Sequence, residues 1–160
     1  MELYQKENRK IIVDVYTDWC GWCKHMMKTT YSNAALASYI NSNFYPVKLD
    51  AEKGTIALSG RCIPENAVDF YKPIYEWLDE YATGPKDNTT VEIRLEYFNT
   101  SSSKCLLDVF KKVERLQKDN SSSVKVNWYY ETDDEDMLEA GEDYDIIISM
   151  PFNMVEVDEI

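Results

Sequence analysis

The sequence predicts an α/β protein in which helices pack against a mixed β-sheet. Over residues 91–98, apolar side chains alternate with polar ones, the period of a half-buried strand. From residue 106 to residue 116, apolar side chains recur at helical spacing. A chain of 160 residues fits one ordinary domain and can bury a substantial core.

Five small polar residues, Asn99, Thr100, Ser101, Ser102 and Ser103, join this strand to this helix. They fall where a strand's carboxyl end meets a helix's amino end, with unpaired N–H groups and a positive dipole potential. A phosphate formed there would be well held. N-capping is the alternative use of these side chains, although one cap needs only one of them. From the residues alone both interpretations stand.

The first third of the chain predicts a strand-helix-strand unit. Residues 11–16 and 44–49 have the composition of strands, and residues 24–41 that of the helix between them. A right-handed crossover would set the two strands side by side and parallel. Turn residues at 50–54 would then reverse the chain into an antiparallel partner, which gives one extended sheet.

Two further elements follow from aromatic and proline patterns. Pro64 is expected at an early helical position, followed by an apolar stripe of Val68, Tyr71, Ile74, Trp77, Leu78 and Tyr81. In the strand that starts near residue 124, Trp128 and Tyr130 should share one face while Tyr129 points away. Most of these aromatic side chains are expected in the core.

A Cys-Gly-Trp-Cys motif at Cys20 and Cys23 follows the first strand. At a helix start, the dipole and free N–H groups lower the pKa of the first thiol, so that thiolate forms near neutral pH. Zinc would need a second ligand pair, and Cys62 and Cys105 stand alone in the sequence. We therefore expect no metal and no cofactor, with Cys62 and Cys105 as buried core thiols.

Residues 13–24, Val-Asp-Val-Tyr-Thr-Asp-Trp-Cys-Gly-Trp-Cys-Lys, resemble the amino-terminal unit of a thioredoxin-like protein. The resemblance implies that Cys20 attacks, Cys23 resolves and Asp14 is the buried acid that assists proton removal. It stops near Lys53, so the second half of that fold is missing. Pro64 lies near the position of the family's facing cis-proline, but a helix start is favoured there. We expect weak or absent reductase activity.

The remainder of the chain closely resembles the SiaC family of bacterial regulatory phosphoproteins. The matching stretches are residues 59–67, 97–104, 127–130 and 133–143. The resemblance implies a small α/β fold similar in layout to anti-sigma-factor antagonists. The expected domains are an incomplete thioredoxin-like unit at 1–53 and a SiaC-like domain at 54–160, whose first strand is supplied by 44–50.

The same resemblance implies a switch rather than an enzyme. Thr100 matches the threonine that a dedicated kinase phosphorylates and a PP2C-type phosphatase releases, with Asn99, Ser101, Ser102 and Ser103 around it. In well-known members the unphosphorylated form activates a diguanylate cyclase, which raises cyclic di-GMP and favours biofilm. A thioredoxin-like oxidoreductase or redox sensor is the alternative function.

The formal net charge of −12 argues against nonspecific binding to nucleic acid or an anionic membrane, because both need a positive field. No apolar run reaches the length of a membrane span and the start is not a signal peptide, so a cytoplasmic protein is expected. The acid-rich residues 131–145 read as a solvated loop, with a docking surface for a basic partner or a divalent-ion site as alternatives. The run lacks the ligand spacing of a calcium loop.

Overall fold

The computed structural model describes residues 10–16, 25–26, 28–30, 32–51 and 53–160. The strands are β1 (Lys10–Tyr16), β2 (Phe44–Asp50), β3 (Thr55–Cys62), β4 (Asn88–Phe98), β5 (Ser123–Glu131) and β6 (Phe152–Val157). The helices are α1 (Ala34–Asn43), α2 (Ala67–Tyr81), α3 (Thr100–Lys118) and α4 (Glu135–Ile147).

The six strands form one mixed sheet in the order in which they occur along the chain. β1 and β2 are parallel, β2 and β3 form an antiparallel hairpin, and β3 to β6 are all parallel. Gly54 closes the hairpin turn at φ 64°, a backbone conformation that glycine adopts without strain. The predicted mixed sheet, with β1 parallel to β2 and a hairpin after it, is confirmed.

The sequential strand order decides which face of the sheet the helices cover. From β3 to β6 each strand is parallel to the one before it and lies on the same side of it. Because crossovers between parallel strands are right-handed, α2, α3 and α4 all lie on one face of the sheet. β1 and β2 run in the opposite direction, so the same handedness rule places α1 on the other face. We call the face opposite α2, α3 and α4 the open face.

The core lies between the sheet and α2, α3 and α4. Alternate residues of the strands, such as Ile93 on β4 and Trp128 on β5, are fully buried there. Phe110 on α3 packs edge-on against Tyr144 of α4, with ring centroids 5.0 Å apart. Cys62 and Cys105 are buried free thiols, as expected.

The start of α2 differs from the prediction. The helix begins at Ala67 with Asn66 as its N-cap, because the Asn66 side chain accepts a hydrogen bond from the Asp69 N–H. Pro64 therefore precedes the helix instead of occupying an early helical position. Val68 is 67% exposed and lies outside the buried stripe, although Tyr71, Ile74, Leu78 and Tyr81 are buried as predicted.

The end of β4 also departs from simple alternation. Gly60 of β3 pairs with Leu95 and Arg61 pairs with Tyr97, so the register shifts by one residue. Phe98 consequently turns to the core and packs against Trp128, while Tyr97 is 46% exposed. A bulge of this kind reverses the facing of the residues that follow it.

Two predicted segments have different structures. Within residues 24–41, the helical residues 25–26 and 28–29 are separated from α1 by a turn, and the Asn33 side chain caps α1 by accepting the N–H groups of residues 35 and 36. The acid-rich run is mostly helix α4 and not a loop. Asp134 caps it, and Glu135 and Asp136 lie in its first turn, where the helix dipole favours negative charge.

Candidate functional site

The predicted phosphorylation site lies at the sheet edge where β3, β4, β5 and β6 end. β4 ends at Phe98, and Thr100 is the exposed first residue of α3. Asn99 between them is the N-cap, and its Oδ1 accepts the Ser102 N–H at 2.9 Å. The Asn99 backbone N–H donates to the Cys62 carbonyl at 3.1 Å, which ties the end of β4 to the end of β3. The hydroxyl run thus starts from a fixed backbone.

Two N–H groups at this helix end have no intrahelical acceptor. The Ser102 N–H is taken by the cap, and the Ser103 N–H donates to the Asn99 carbonyl at 3.0 Å. The N–H groups of Thr100 and Ser101 precede the first helical bond and lie at the positive end of the dipole. Both side chains are exposed. An anion on Thr100 would therefore find two N–H donors and the positive end of the α3 dipole.

The other two serines of the run point into the protein. Ser102 is fully buried and accepts a hydrogen bond from the Cys62 thiol at 3.5 Å. The Cys62 sulfur also lies 3.2 Å from the Tyr71 hydroxyl, and burial raises the pKa of that thiol and of that phenol. These three side chains form an uncharged floor beneath the helix start.

Ser103 connects the site to α4. The Tyr144 hydroxyl donates to the Ser103 carbonyl at 2.9 Å and lies 3.1 Å from the Ser103 hydroxyl oxygen. Burial is the main cause that raises the pKa of Tyr144 to about 12. The first turn of α3 is therefore held by a neutral tyrosine from the next helix.

A recess of about 410 Å³ lies beside Thr100, between the amino ends of α2 and α3. Thr100, Ser101, Lys104 and Asp108 line one side, and Glu65, Asn66 and the exposed Val68 line the other. Sequence reasoning did not find this recess. The pattern Asn66-x-x-Asp69 was the available signal, since it marks a second helix start.

The dithiol residues Cys20 and Cys23 lie outside the described residues. Asp14 belongs to β1, where its backbone pairs with Lys48. β1 runs opposite to β4, so it ends, at Tyr16, at the sheet edge opposite the one that carries Thr100. The structure thus does not bring β1's end to Thr100. Within the described residues, no His, Cys, Asp or Glu group has the arrangement of a metal site.

The fold and the site together define a small α/β protein that presents a threonine hydroxyl at the amino end of a central helix. The sequence model of the SiaC family regulatory phosphoprotein matches residues 38–157. The chain belongs to this family. A second family model, described as a protein of unknown function, DUF255, with the label Thioredox_DsbH, matches residues 1–55.

Similar proteins come from Pseudomonas aeruginosa. An uncharacterized protein of strain UCBPP-PA14, PA14_02130, is 26% identical over 110 residues, which cover 69% of this chain and 86% of that protein. A chain in the crystal structure of the diguanylate cyclase SiaD in complex with its activator SiaC has a TM-score of 0.65 at 23% identity, covering 69% of this chain and 90% of that one. Apo-SiaC gives a TM-score of 0.62 at 24% identity, with coverages of 68% and 88%. The fold is thus that of SiaC.

The described helices are all too short or too polar to cross a membrane.

Proposed function

We propose that this chain is a phosphorylation-controlled regulator that binds and activates a diguanylate cyclase when Thr100 is unmodified. A cytoplasmic kinase would phosphorylate Thr100, and a PP2C-type phosphatase would restore the active form. The observation that carries the proposal is the exposed Thr100 hydroxyl at a capped helix start with two free N–H groups beside it. The likeness to SiaC, described as an activator of the cyclase SiaD, supports the choice of partner.

The geometry indicates how a phosphate would act. Phosphorylation adds nearly two negative charges and three acceptor oxygens. At Thr100 these oxygens would take the N–H groups of Thr100 and Ser101 and occupy the recess next to Val68. The phosphate would block the recess to any side chain that a partner inserts there. It would also repel a partner with an acidic surface. Tyr144 and Asn99 keep the helix start fixed in both states.

The experiment measures binding of purified diguanylate cyclases of the source organism, together with their rate of cyclic di-GMP formation. Thr100→Ala should bind and activate as the unmodified protein does, and the kinase should not inactivate it. Thr100→Glu should weaken binding by about tenfold or more, since each factor of ten is 1.4 kcal/mol. Thr83→Glu places the same charge on an exposed threonine after α2 and is the matched control.

Two results would contradict the proposal. The first is equal binding by wild type, Thr100→Glu and Thr100→Ala. The second is a phosphate mapped by mass spectrometry to Ser101 or to another residue after treatment with the kinase. Loss of binding in both Thr83→Glu and Thr100→Glu would point to general charge repulsion instead of a switch at this site.

A second candidate function is thiol-disulfide exchange at Cys20 and Cys23, assisted by Asp14. The match of residues 1–55 to the Thioredox_DsbH model favours it. In this proposal residues 1–53 are an incomplete redox unit attached to a switch domain at 54–160, with the strand at 44–50 shared. None of the described peptide bonds is cis, so Pro64 does not supply a facing cis-proline. We expect insulin reduction far slower than by an intact thioredoxin; a comparable rate that Cys20→Ser abolishes would reverse the order of the two candidates.

A further inference from the structure

The open face of the sheet carries a patch of two arginines and two tyrosines: Arg61 on β3, Arg94 and Tyr97 on β4, and Tyr129 on β5. We call these four residues the arginine-tyrosine patch. Arg94 and Tyr129 alternate with the buried residues of their strands, and the register shift at Gly60 turns Tyr97 to the same side. Both arginines are exposed, and Tyr97 is 46% exposed.

Each arginine of the patch lies over a tyrosine ring. The Arg94 guanidinium carbon is 3.5 Å from the ring centroid of Tyr129, and that of Arg61 is 5.9 Å from the centroid of Tyr97. Stacking holds a guanidinium group flat and leaves its N–H edge open to solvent. The arginines are thus partly ordered before anything binds them.

Within the part of the chain that the structure describes, neither arginine of the patch forms an ion pair with a carboxylate, although the full sequence carries 29 acidic residues. Four lysines, Lys53, Lys72, Lys112 and Lys118, do form such ion pairs. A guanidinium group forms its strongest contact with a carboxylate in a bidentate pair. In a protein of net charge −12, two stacked arginines without such a partner are a local positive surface.

Acidic side chains lie at two places around the patch. Glu92, two residues before Arg94 on β4, is half-buried beside Tyr129, and its carboxylate accepts a hydrogen bond from the Asn127 amide at 2.9 Å. Glu96 and Glu131 lie toward β5 and β6, where they line a hollow of about 310 Å³ with Asp134 and Glu159. The exposed cationic groups of the patch are therefore the two guanidinium groups of Arg61 and Arg94. β4 also leads directly into Asn99 and Thr100, so the patch and the candidate phosphorylation site are reached from the same strand end.

We propose that the arginine-tyrosine patch is the docking surface for an acidic segment of the protein partner that the switch controls. The proposal rests on the proposed function for the identity of the partner, and on charge complementarity for its chemistry. Arginine and tyrosine are the side chains that most often anchor protein interfaces. Carboxylates of the partner would pair with the open guanidinium edges, and its apolar atoms would cover the tyrosine rings.

The test uses synthetic probes, so that it does not depend on finding the partner. A fluorescein-labelled peptide rich in Glu and Leu is titrated with the full chain, beside a Lys-Leu peptide of the same pattern and a single-stranded oligonucleotide. Backbone amide shifts in NMR spectra locate the contact. We expect saturable, salt-sensitive binding of the acidic peptide alone, with shifts concentrated at the four patch residues.

Three variants make the test specific. Arg61→Glu combined with Arg94→Glu should lower the affinity by about tenfold or more, because two charge-assisted contacts become repulsive. Arg94→Lys keeps the charge but loses the planar edge, and should lower the affinity by a smaller factor. Lys111→Glu makes the same charge change as one arginine reversal at an exposed position on α3, and should leave binding unchanged.

The proposal is overturned if the acidic peptide does not bind, if the double reversal binds it as wild type does, or if the shifts map to another surface. Tighter binding of the oligonucleotide would make the patch a nucleic-acid site instead. Failure of the Thr100 experiment with the cyclases would reject the proposed function, and the peptide result would still decide the patch.

Discussion

Helix α1 and the parallel half of the protein, which consists of β3 to β6 with α2, α3 and α4, differ in how far their described side chains are buried. Among residues whose burial is described, the buried apolar side chains all lie at or after Val47. In α1, Leu36 and Ile40 are only half-buried. The change of strand direction between β2 and β3 explains the difference, because it moves the crossover helix to the other face. The described side chains of α1 therefore add little to the buried core.

The largest test of this comparison pairs a core residue with a residue of α1. Phe110 is fully buried against the rings of Tyr144 and Phe152, so Phe110→Ala should lower the free energy of unfolding by about 3–5 kcal/mol. Ile40→Ala removes a half-buried side chain and should cost about 1 kcal/mol or less. Urea unfolding followed by tryptophan fluorescence measures both values.

The comparison fails if Ile40→Ala is as costly as Phe110→Ala, since α1 would then belong to the same cooperative core. It is sharpened if Ile40→Ala leaves the main transition unchanged but increases amide exchange in α1 and β1. Ser38→Ala, at an exposed position of α1, is the control for substitution in this helix.

Much of the structure of the parallel half could be predicted from its sequence. Strict alternation placed Trp128 and Tyr130 on the core face and Tyr129 on the other, and the structure confirms this, because β5 has no bulge. Alternation wrongly predicted that Phe98 faces away from the core. The register shift opposite Gly60 depends on how β3 and β4 pair. Pairing over such distances is not encoded in a local period.

The candidate site was also found in part. The position of Thr100 at a helix start follows from the change of hydrophobic period at residue 99. The recess beside Val68 did not follow, because it forms only when two helix ends meet across parallel strands. The acid-rich run was wrongly predicted to be a loop. The buried residues of α4 are only Met137, Gly141 and Tyr144, so its many charged residues hide the helical spacing of its apolar residues.

The contact between α4 and β5 gives the next prediction. A Cβ atom on Gly141 would lie 2.7 Å from Trp128 Cδ1 and 2.8 Å from its Nε1. The Trp128 ring cannot retreat easily, since its Nε1 donates to the Met137 carbonyl at 2.9 Å. Gly141→Ala should therefore lower the unfolding free energy by about 1–3 kcal/mol through overpacking, although alanine usually stabilises a helix.

Thermal unfolding of Gly141→Ala beside Glu139→Ala, an exposed position on the same helix, measures this effect. A Gly141→Ala protein as stable as wild type would show that α4 is free to shift. The parallel half would then be less tightly packed than the comparison requires.

The smallest expected effect concerns Glu114, which joins α3 to the segment before β6. Its carboxylate accepts hydrogen bonds from the Lys118 ammonium and from the Ser149 N–H, both at 2.6 Å. The bond from Lys118 is the main cause that lowers the pKa of Glu114, and the Ser149 backbone adds to it. Glu114→Gln should lower the unfolding free energy by about 1–2 kcal/mol at neutral pH.

The pH dependence of this effect distinguishes the charge from the shape of the side chain. A folded-state pKa below the unfolded value means that the ionised carboxylate stabilises the fold above about pH 4.3, the unfolded pKa of Glu. That contribution declines as the pH falls through the lower, folded-state pKa. The stability difference between wild type and Glu114→Gln should therefore shrink between neutral pH and acid. If the stability difference between wild type and Glu114→Gln does not change with pH, the contact between α3 and the segment before β6 depends on packing, as in the rest of the parallel half. It would then not depend on the charge of Glu114.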